Sequence, residues 1–282
     1  MNPPNGHFRA FTFVDRITSV QPGGAIRGHY HIPASLAEFS TALVAEAVGQ
    51  LAAWSAMAAV DFKVRPVSGL IGRATSFAPV RPGQTLELAV EIETVDLDAV
   101  AYDGTASVEG TTVFQLQNVV GPMMPLEEFD DPAAMRRHFA LLQSTGADPC
   151  GFNGVPTVDI QRTEGETGKI ARAVMQVPST APFFSDHFPR RPVFPGTLLM
   201  DLNLQLATAL ADEIPVRDGR RWQVKFMSDV KLRAFIPPGE MLQLSARLDE
   251  NANDAATIIV ETRKGTRLLG GARVQLAAEA LS

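Results

Sequence analysis

The sequence predicts an α+β chain built from two copies of one domain, each a curved antiparallel sheet around a single buried helix. Three observations carry this. The chain repeats itself: Ala78-Pro79-Val80-Arg81-Pro82-Gly83-Gln84-Thr85-Leu86-Glu87-Leu88 parallels Ala234-Phe235-Ile236-Pro237-Pro238-Gly239-Glu240-Met241-Leu242-Gln243-Leu244, an offset of 156 positions, and the pairs Glu46/Gln50 and Asp201/Gln205 repeat at an offset of 155. A period this long means two domain copies and not a solenoid. Each copy also holds one long stretch that is apolar nearly all round, which demands burial. Each such stretch is followed by several runs of alternating character bounded by turn residues, the pattern of strands folded on one helix.

In the first copy, an early extended segment precedes a helix over 36–59, and strands fall near 68–79, 86–97, 99–109 and 111–119. Residues 121–156 then bring Pro122, Pro125 and the acidic run Glu127-Glu128-Phe129-Asp130-Asp131. They form an ordered linker with one helix over 133–143, whose apolar stripe includes Met135, Phe139 and Leu141. The acidic run suits the positive end of that helix. In the second copy Pro195 and Thr197 open a helix over 196–212. Strands follow near 222–235, 241–249, 257–263 and 267–277, with turns at 250–254 and Lys264-Gly265. The domain limits are 1–121, 122–155 and 156–282.

Composition fits a soluble cytoplasmic enzyme. The chain has 282 residues, 45% hydrophobic and 20% charged. A net charge of -6 argues against general nucleic-acid binding. The single cysteine, Cys150, excludes an internal disulfide and has no nucleophile signature around it. The N-terminus lacks an apolar core of signal-peptide type. The run 39–60 contains Glu46 and Gln50, so it reads as a buried helix and not a membrane span.

The stretch with the most chemistry is Pro182-Phe183-Phe184-Ser185-Asp186-His187-Phe188-Pro189-Arg190-Arg191-Pro192-Val193-Phe194-Pro195-Gly196, continuing into the helix that bears Asp201 and Gln205. It places an imidazole, a helix N-terminus with free N–H groups and a carboxylate around one apolar hole. It resembles the signature of the β-hydroxyacyl-thioester dehydratases of fatty-acid synthesis, which is His-Phe-Pro-x-x-Pro-Val-x-Pro-Gly, then Glu or Asp, then Gln. The resemblance implies the hotdog fold, here as a double hotdog. It also implies a 3-hydroxyacyl thioester substrate, on an acyl carrier protein or coenzyme A, dehydrated to the trans-2-enoyl thioester.

The repeat breaks at this loop. Residues His31-Ile32-Pro33 match Gln176-Val177-Pro178, and Gly23 matches Gly168, at an offset of 145. The first copy has therefore lost ten residues, those that carry His187, and His31 is a strand residue without a catalytic role. In the family two hotdogs pair, and each histidine works with the acid of its partner's helix. The resemblance therefore implies a crossed dyad of His187 with Glu46, and leaves Asp201 facing a place without a histidine.

In this scheme His187 takes the α-proton, the Gly196 N–H holds the thioester oxygen, and Glu46 or Asp201, protonated, donates to the departing hydroxyl. Gln50 and Gln205 orient the two acids from one turn along each helix. Phe183, Phe184, Phe188, Val193 and Phe194 line an acyl tunnel. Arg190 and Arg191, with Arg217, Arg220, Arg221 and Lys225, form a basic cluster suited to an acidic carrier protein. No metal or cofactor is expected, because His187 has no second ligand at metal spacing. His7 reads as part of a mobile N-terminus, and His29 and His138 as surface or strand residues. A homo-oligomer of the pseudo-dimer is allowed. Two other classes compete: a hotdog thioesterase, which needs no His-Phe-Pro loop, and a non-catalytic acyl-binding subunit.

Overall fold

The repeat is built as two equivalent sets of six strands joined edge to edge. The computed structural model describes residues 7–67, 69–148, 151–216, 220–252 and 254–280. The first set comprises β1 (Arg16–Val20), β2 (Ala25–His31), β4 (Leu70–Ser76), β5 (Thr85–Val95), β6 (Ala99–Val108) and β7 (Thr111–Pro125). The second comprises β8 (Ile160–Glu166), β9 (Ile170–Gln176), β10 (Arg221–Leu232), β11 (Met241–Ala252), β12 (Ala255–Lys264) and β13 (Arg267–Glu279). A short strand, β3 (Val64–Pro66), pairs with the end of β7.

The strand order is β1-β2-β5-β6-β7-β4-β10-β13-β12-β11-β9-β8. Read inward from either edge, the two halves follow the same path. They meet where β4 runs antiparallel to β10, from Leu70 opposite Lys231 to Thr75 opposite Phe226. This is a double hotdog. The matching turns show why the repeat was legible. Gly83 and Gly239 both adopt positive φ, at 87° and 80°, which glycine permits without a steric penalty. Gly83 N–H donates to Ile32 O and Gly239 N–H to Val177 O.

The buried helices are α1 (Thr41–Ala59) and α3 (Gly196–Ala211), with α2 (Pro132–Gln143) between the halves. By length and composition α1 is the one described helix apolar enough to cross a membrane. Its apolar surface is spent elsewhere: Leu43, Val44, Ala47, Val48, Leu51 and Met57 are buried beneath the first half of the sheet. Truncating fully buried Leu51 to Ala would cost about 2–5 kcal/mol.

The element bounds correct the sequence reading in three places. The first helix begins at Thr41, not 36, because Ser40 is still extended. The strand expected to stop at 119 continues to Pro125, because 123–125 find partners on β3. The turn expected over 250–254 is mostly strand, with Glu250, Asn251 and Ala252 paired to Thr257, Ala256 and Ala255. At the start of α2, Asp131 accepts from the N–H groups of Ala133 and Ala134.

The ten-residue difference between the halves is explicit. Strands β2 and β9 are both seven residues long and 145 positions apart, whereas α1 and α3 begin 155 apart. The extra residues of the second half form the loop between β9 and α3.

Candidate active site

That loop is anchored by its own backbone and by the first half of the chain. It opens with a short 3-10 turn, Pro182–Ser185, whose Phe183 carbonyl accepts from the His187 N–H at 2.8 Å. The next residue, Asp186, accepts from the N–H groups of Phe8, Arg9, Ala10 and Phe11 at 2.6–3.1 Å and from the Thr12 hydroxyl at 3.3 Å. A carboxylate that gathers four backbone donors pins the N-terminal segment to the loop. Burial raises the Asp186 pKa, and those donors oppose the rise.

His187 follows. Its Nδ1 lies 2.9 Å from the Val193 carbonyl, and Val193 N–H returns a bond to the His187 carbonyl at 3.0 Å. A carbonyl only accepts, so Nδ1 carries the proton and Nε2 is left as the free base. Phe188 stacks on the imidazole with centroids 4.1 Å apart, and Phe11 meets it edge-on at 5.8 Å. Burial lowers the His187 pKa, against the opposing pull of the Glu46 carboxylate and the Val193 bond.

The carboxylate that shares this space comes from α1. A cavity of about 160 Å³ is lined by His187, Phe188, Thr197, Glu46, Gln50, Tyr102 and Arg65, and continues along α1 past Ala53 and Trp54 to Met57. Thr197 Oγ1 donates to one Glu46 oxygen at 2.7 Å and Gln50 Nε2 to the other at 3.0 Å. Gln50 is itself fixed, accepting from Phe13 N–H and donating to Phe11 O. Glu46 is thus held in one orientation by both halves.

Asp201 lies elsewhere. It lines a second cavity of about 360 Å³ with Thr41, Ala42, Ala45, Met200, Leu204 and strand residues of β4 and β10. Among the described residues this cavity has no histidine in its wall. Burial raises the Asp201 pKa, and Gln205 Nε2 bonds it at 3.0 Å.

Comparison with known proteins now bears on the site. Residues 161–267 match the ApeI-like family, described as ApeI dehydratase. A 3-hydroxyacyl-(acyl-carrier-protein) dehydratase FabZ of Albidiferax ferrireducens is 37% identical over 87 residues, covering 29% of this chain and 57% of that protein. FabZ of Streptococcus thermophilus is 31% identical over 86 residues, or 30% of this chain and 61% of its own length. Residues 161–267 are thus similar to a dehydratase family. The chain spans under two thirds of the length of these relatives. Two solved structures share the whole fold. A putative oleoyl thioesterase from Lactobacillus plantarum has a TM-score of 0.60 at 10% identity, covering 93% of this chain and 100% of that one. The tesB protein of Mycobacterium avium subs paratuberculosis has a TM-score of 0.57 at 13% identity, covering 94% and 96%.

Within this double hotdog the expected site residues divide. His187, Phe188, Glu46 and Gln50 share the first cavity. Gly196 borders the second cavity and a cleft of about 50 Å³ beside His187, and Val193 and Phe194 line that cleft. Phe183 and Phe184 belong to the core and line neither, because the 3-10 turn points them inward. Gln205 is exposed beside Asp201. Arg190 and Arg191 face the linker: Arg190 Nη1 donates to Glu127 O at 2.9 Å, and Arg191 Nη1 pairs with Glu128 at 3.1 Å. Arg220 pairs with Asp254 and Lys225 with Glu279, and Arg217 and Cys150 lie outside the described residues.

His7 packs against the body of the chain, and His138 is buried and not a surface residue. His7 Nε2 lies 3.2 Å from Asp130, His7 stacks on Phe8, and Phe8 stacks on His138 at 3.8 Å. His138 is 7% exposed, with its pKa lowered to about 4, chiefly by burial. Arg65, Tyr102 and Thr197 as a partner of Glu46 escaped the sequence reading. Only Thr197 sat near a motif. The other two reach the site through sheet topology.

Proposed function

We propose that the chain dehydrates a 3-hydroxyacyl thioester to the trans-2-enoyl thioester, with His187 as base and Glu46 as acid. The observation that carries this reading is that one cavity holds both groups, whereas Asp201 stands in another wall. Neutral Nε2 of His187 removes a proton from C2. The Gly196 N–H, at the first position of α3, receives the charge that develops on the thioester oxygen. A Cβ on Gly196 would lie 2.4 Å from Leu232 Cδ1, so a side chain there would have to displace Leu232. Glu46 gives its proton to the C3 hydroxyl, which leaves as water as the C2–C3 double bond forms. The imidazolium then returns its proton to Glu46. Thr197 suits both states, since its hydroxyl donates to a carboxylate and accepts from a carboxylic acid. Tyr102 lines the same cavity, and burial raises its pKa, so it stays a neutral phenol.

The thiol arm belongs to a carrier protein or coenzyme A, in fatty-acid or polyketide-type synthesis. The test follows absorbance of the enoyl thioester during hydration and dehydration. Wild type should turn over. His187→Ala and Glu46→Gln should lose activity by orders of magnitude, and Asp201→Asn should keep it. Loss in Asp201→Asn with an active Glu46→Gln would overturn the assignment of the acid.

A further inference from the structure

The catalytic cavity holds a cation that the dehydration does not use. Arg65, on β3, lines it together with His187 and Glu46. Its Nε is buried and has no hydrogen-bond partner among the described residues. Asp130 and Glu46 favour its charged form through space, and burial lowers its pKa only to about 10, so it is a cation at neutral pH. A desolvated guanidinium with an unfilled donor is costly unless a ligand supplies an acceptor.

The position of Arg65 sets where such an acceptor would sit. Its guanidinium carbon lies 3.8 Å from the Phe188 ring centroid, and His187 stacks on the same ring. Two groups this close to one centroid need opposite faces of the ring. Arg65 is therefore two stacking distances from the base, a few bonds beyond the reacting carbons. The stack shields one face of the guanidinium and leaves its N–H edge, the fork that fits a carboxylate. The wall ends at buried Trp54, Met57 and Met135, and Asp130 and His7, which pair with each other, also line it. The thiol arm must lead out to solvent, so the Arg65 side takes the acyl chain. At about 160 Å³ the space is below the roughly 300–1,000 Å³ of drug-sized sites, so the chain is short.

We propose that Arg65 is a specificity-determining residue that receives a carboxylate at the far end of a short 3-hydroxyacyl chain. This rests on the dehydratase reading.

The test compares pantetheine thioesters of 3-hydroxyadipate and 3-hydroxyhexanoate, equal in length and differing in the terminal carboxylate. Wild type should favour the adipyl substrate in kcat/KM by roughly 100-fold. Arg65→Met should erase that preference through the adipyl substrate alone, and Arg65→Lys should keep part of it. Equal loss on both substrates in Arg65→Met would make Arg65 a structural prop for Phe188 and overturn the proposal. So would a loss that disappears when the pantetheine arm is cut back to an ethyl thioester. Turnover of the hexanoyl substrate by wild type without preference would sink this inference and leave the dehydratase reading standing. Turnover of neither would sink both.

Discussion

The two cavities sit at equivalent places in the two halves, and one loop separates them. Each is bounded by the acid of one helix and the N-terminus of the other: Glu46 with Thr197 in the first, Asp201 with Thr41 and Ala42 in the second. The first has His187 in its wall and the second has none. The acid, the glutamine one turn along and the helix pair are present in both. An acid on a buried helix is therefore common to both halves, and among the described residues the ten-residue loop sets a histidine beside the first cavity and not the second.

The comparison is broken most directly at its strongest contrast. His187→Ala and Glu46→Gln should each lower kcat/KM by about 10²–10⁴-fold, and steady-state kinetics on one thioester would show it. The pH profile sharpens the same point. A base must be neutral to act, and burial lowers the His187 pKa. The acidic limb of kcat/KM should therefore fall below pH 6.5, and a limb above it would contradict the buried, unprotonated base.

Next in size are effects on stability, where the halves meet through the N-terminal segment. His138 titrates at about 4 in the fold and near 6.5 unfolded. Between these values the unfolded chain binds more protons, so stability should be full above pH 6.5 and lost as pH falls toward 4, by at most about 3 kcal/mol. Urea melts across that range should show the slope, and His138→Phe should flatten it. Asp186→Ala leaves four backbone donors without their acceptor and should cost about 1–3 kcal/mol in the same melts.

Thr197→Val, which removes one of two donors to Glu46, should lower kcat roughly tenfold with little change in KM. Smallest of all, Asp201→Asn should stay within about twofold of wild type. A dead Asp201→Asn would show that the second cavity works after all.

What the sequence disclosed follows from what repeats and what is local. The duplication disclosed the two domain copies and, through one offset, Glu46, which no motif marks. The loop gave His187 because its prolines and aromatics are contiguous. The aromatics around it could not be sorted, since Phe183, Phe184, Phe188 and Phe194 look alike until the 3-10 turn fixes their directions. Arg65 was silent for another reason. It stands in a three-residue strand whose partner, the end of β7, carries Pro122 and Pro125 and so read as linker. His7 was misread because Asp130, which holds it, and His138, on which its neighbour Phe8 stacks, are more than a hundred residues away along the chain.

The seam between β4 and β10 has one more implication, for dilution. Glu46 and His187 reach the same cavity from opposite sides of a junction between halves that one backbone ties together. Their encounter is intramolecular, at an effective concentration that no dilution lowers. Activity per molecule should therefore hold at protein concentrations where a site shared between two separate chains would come apart.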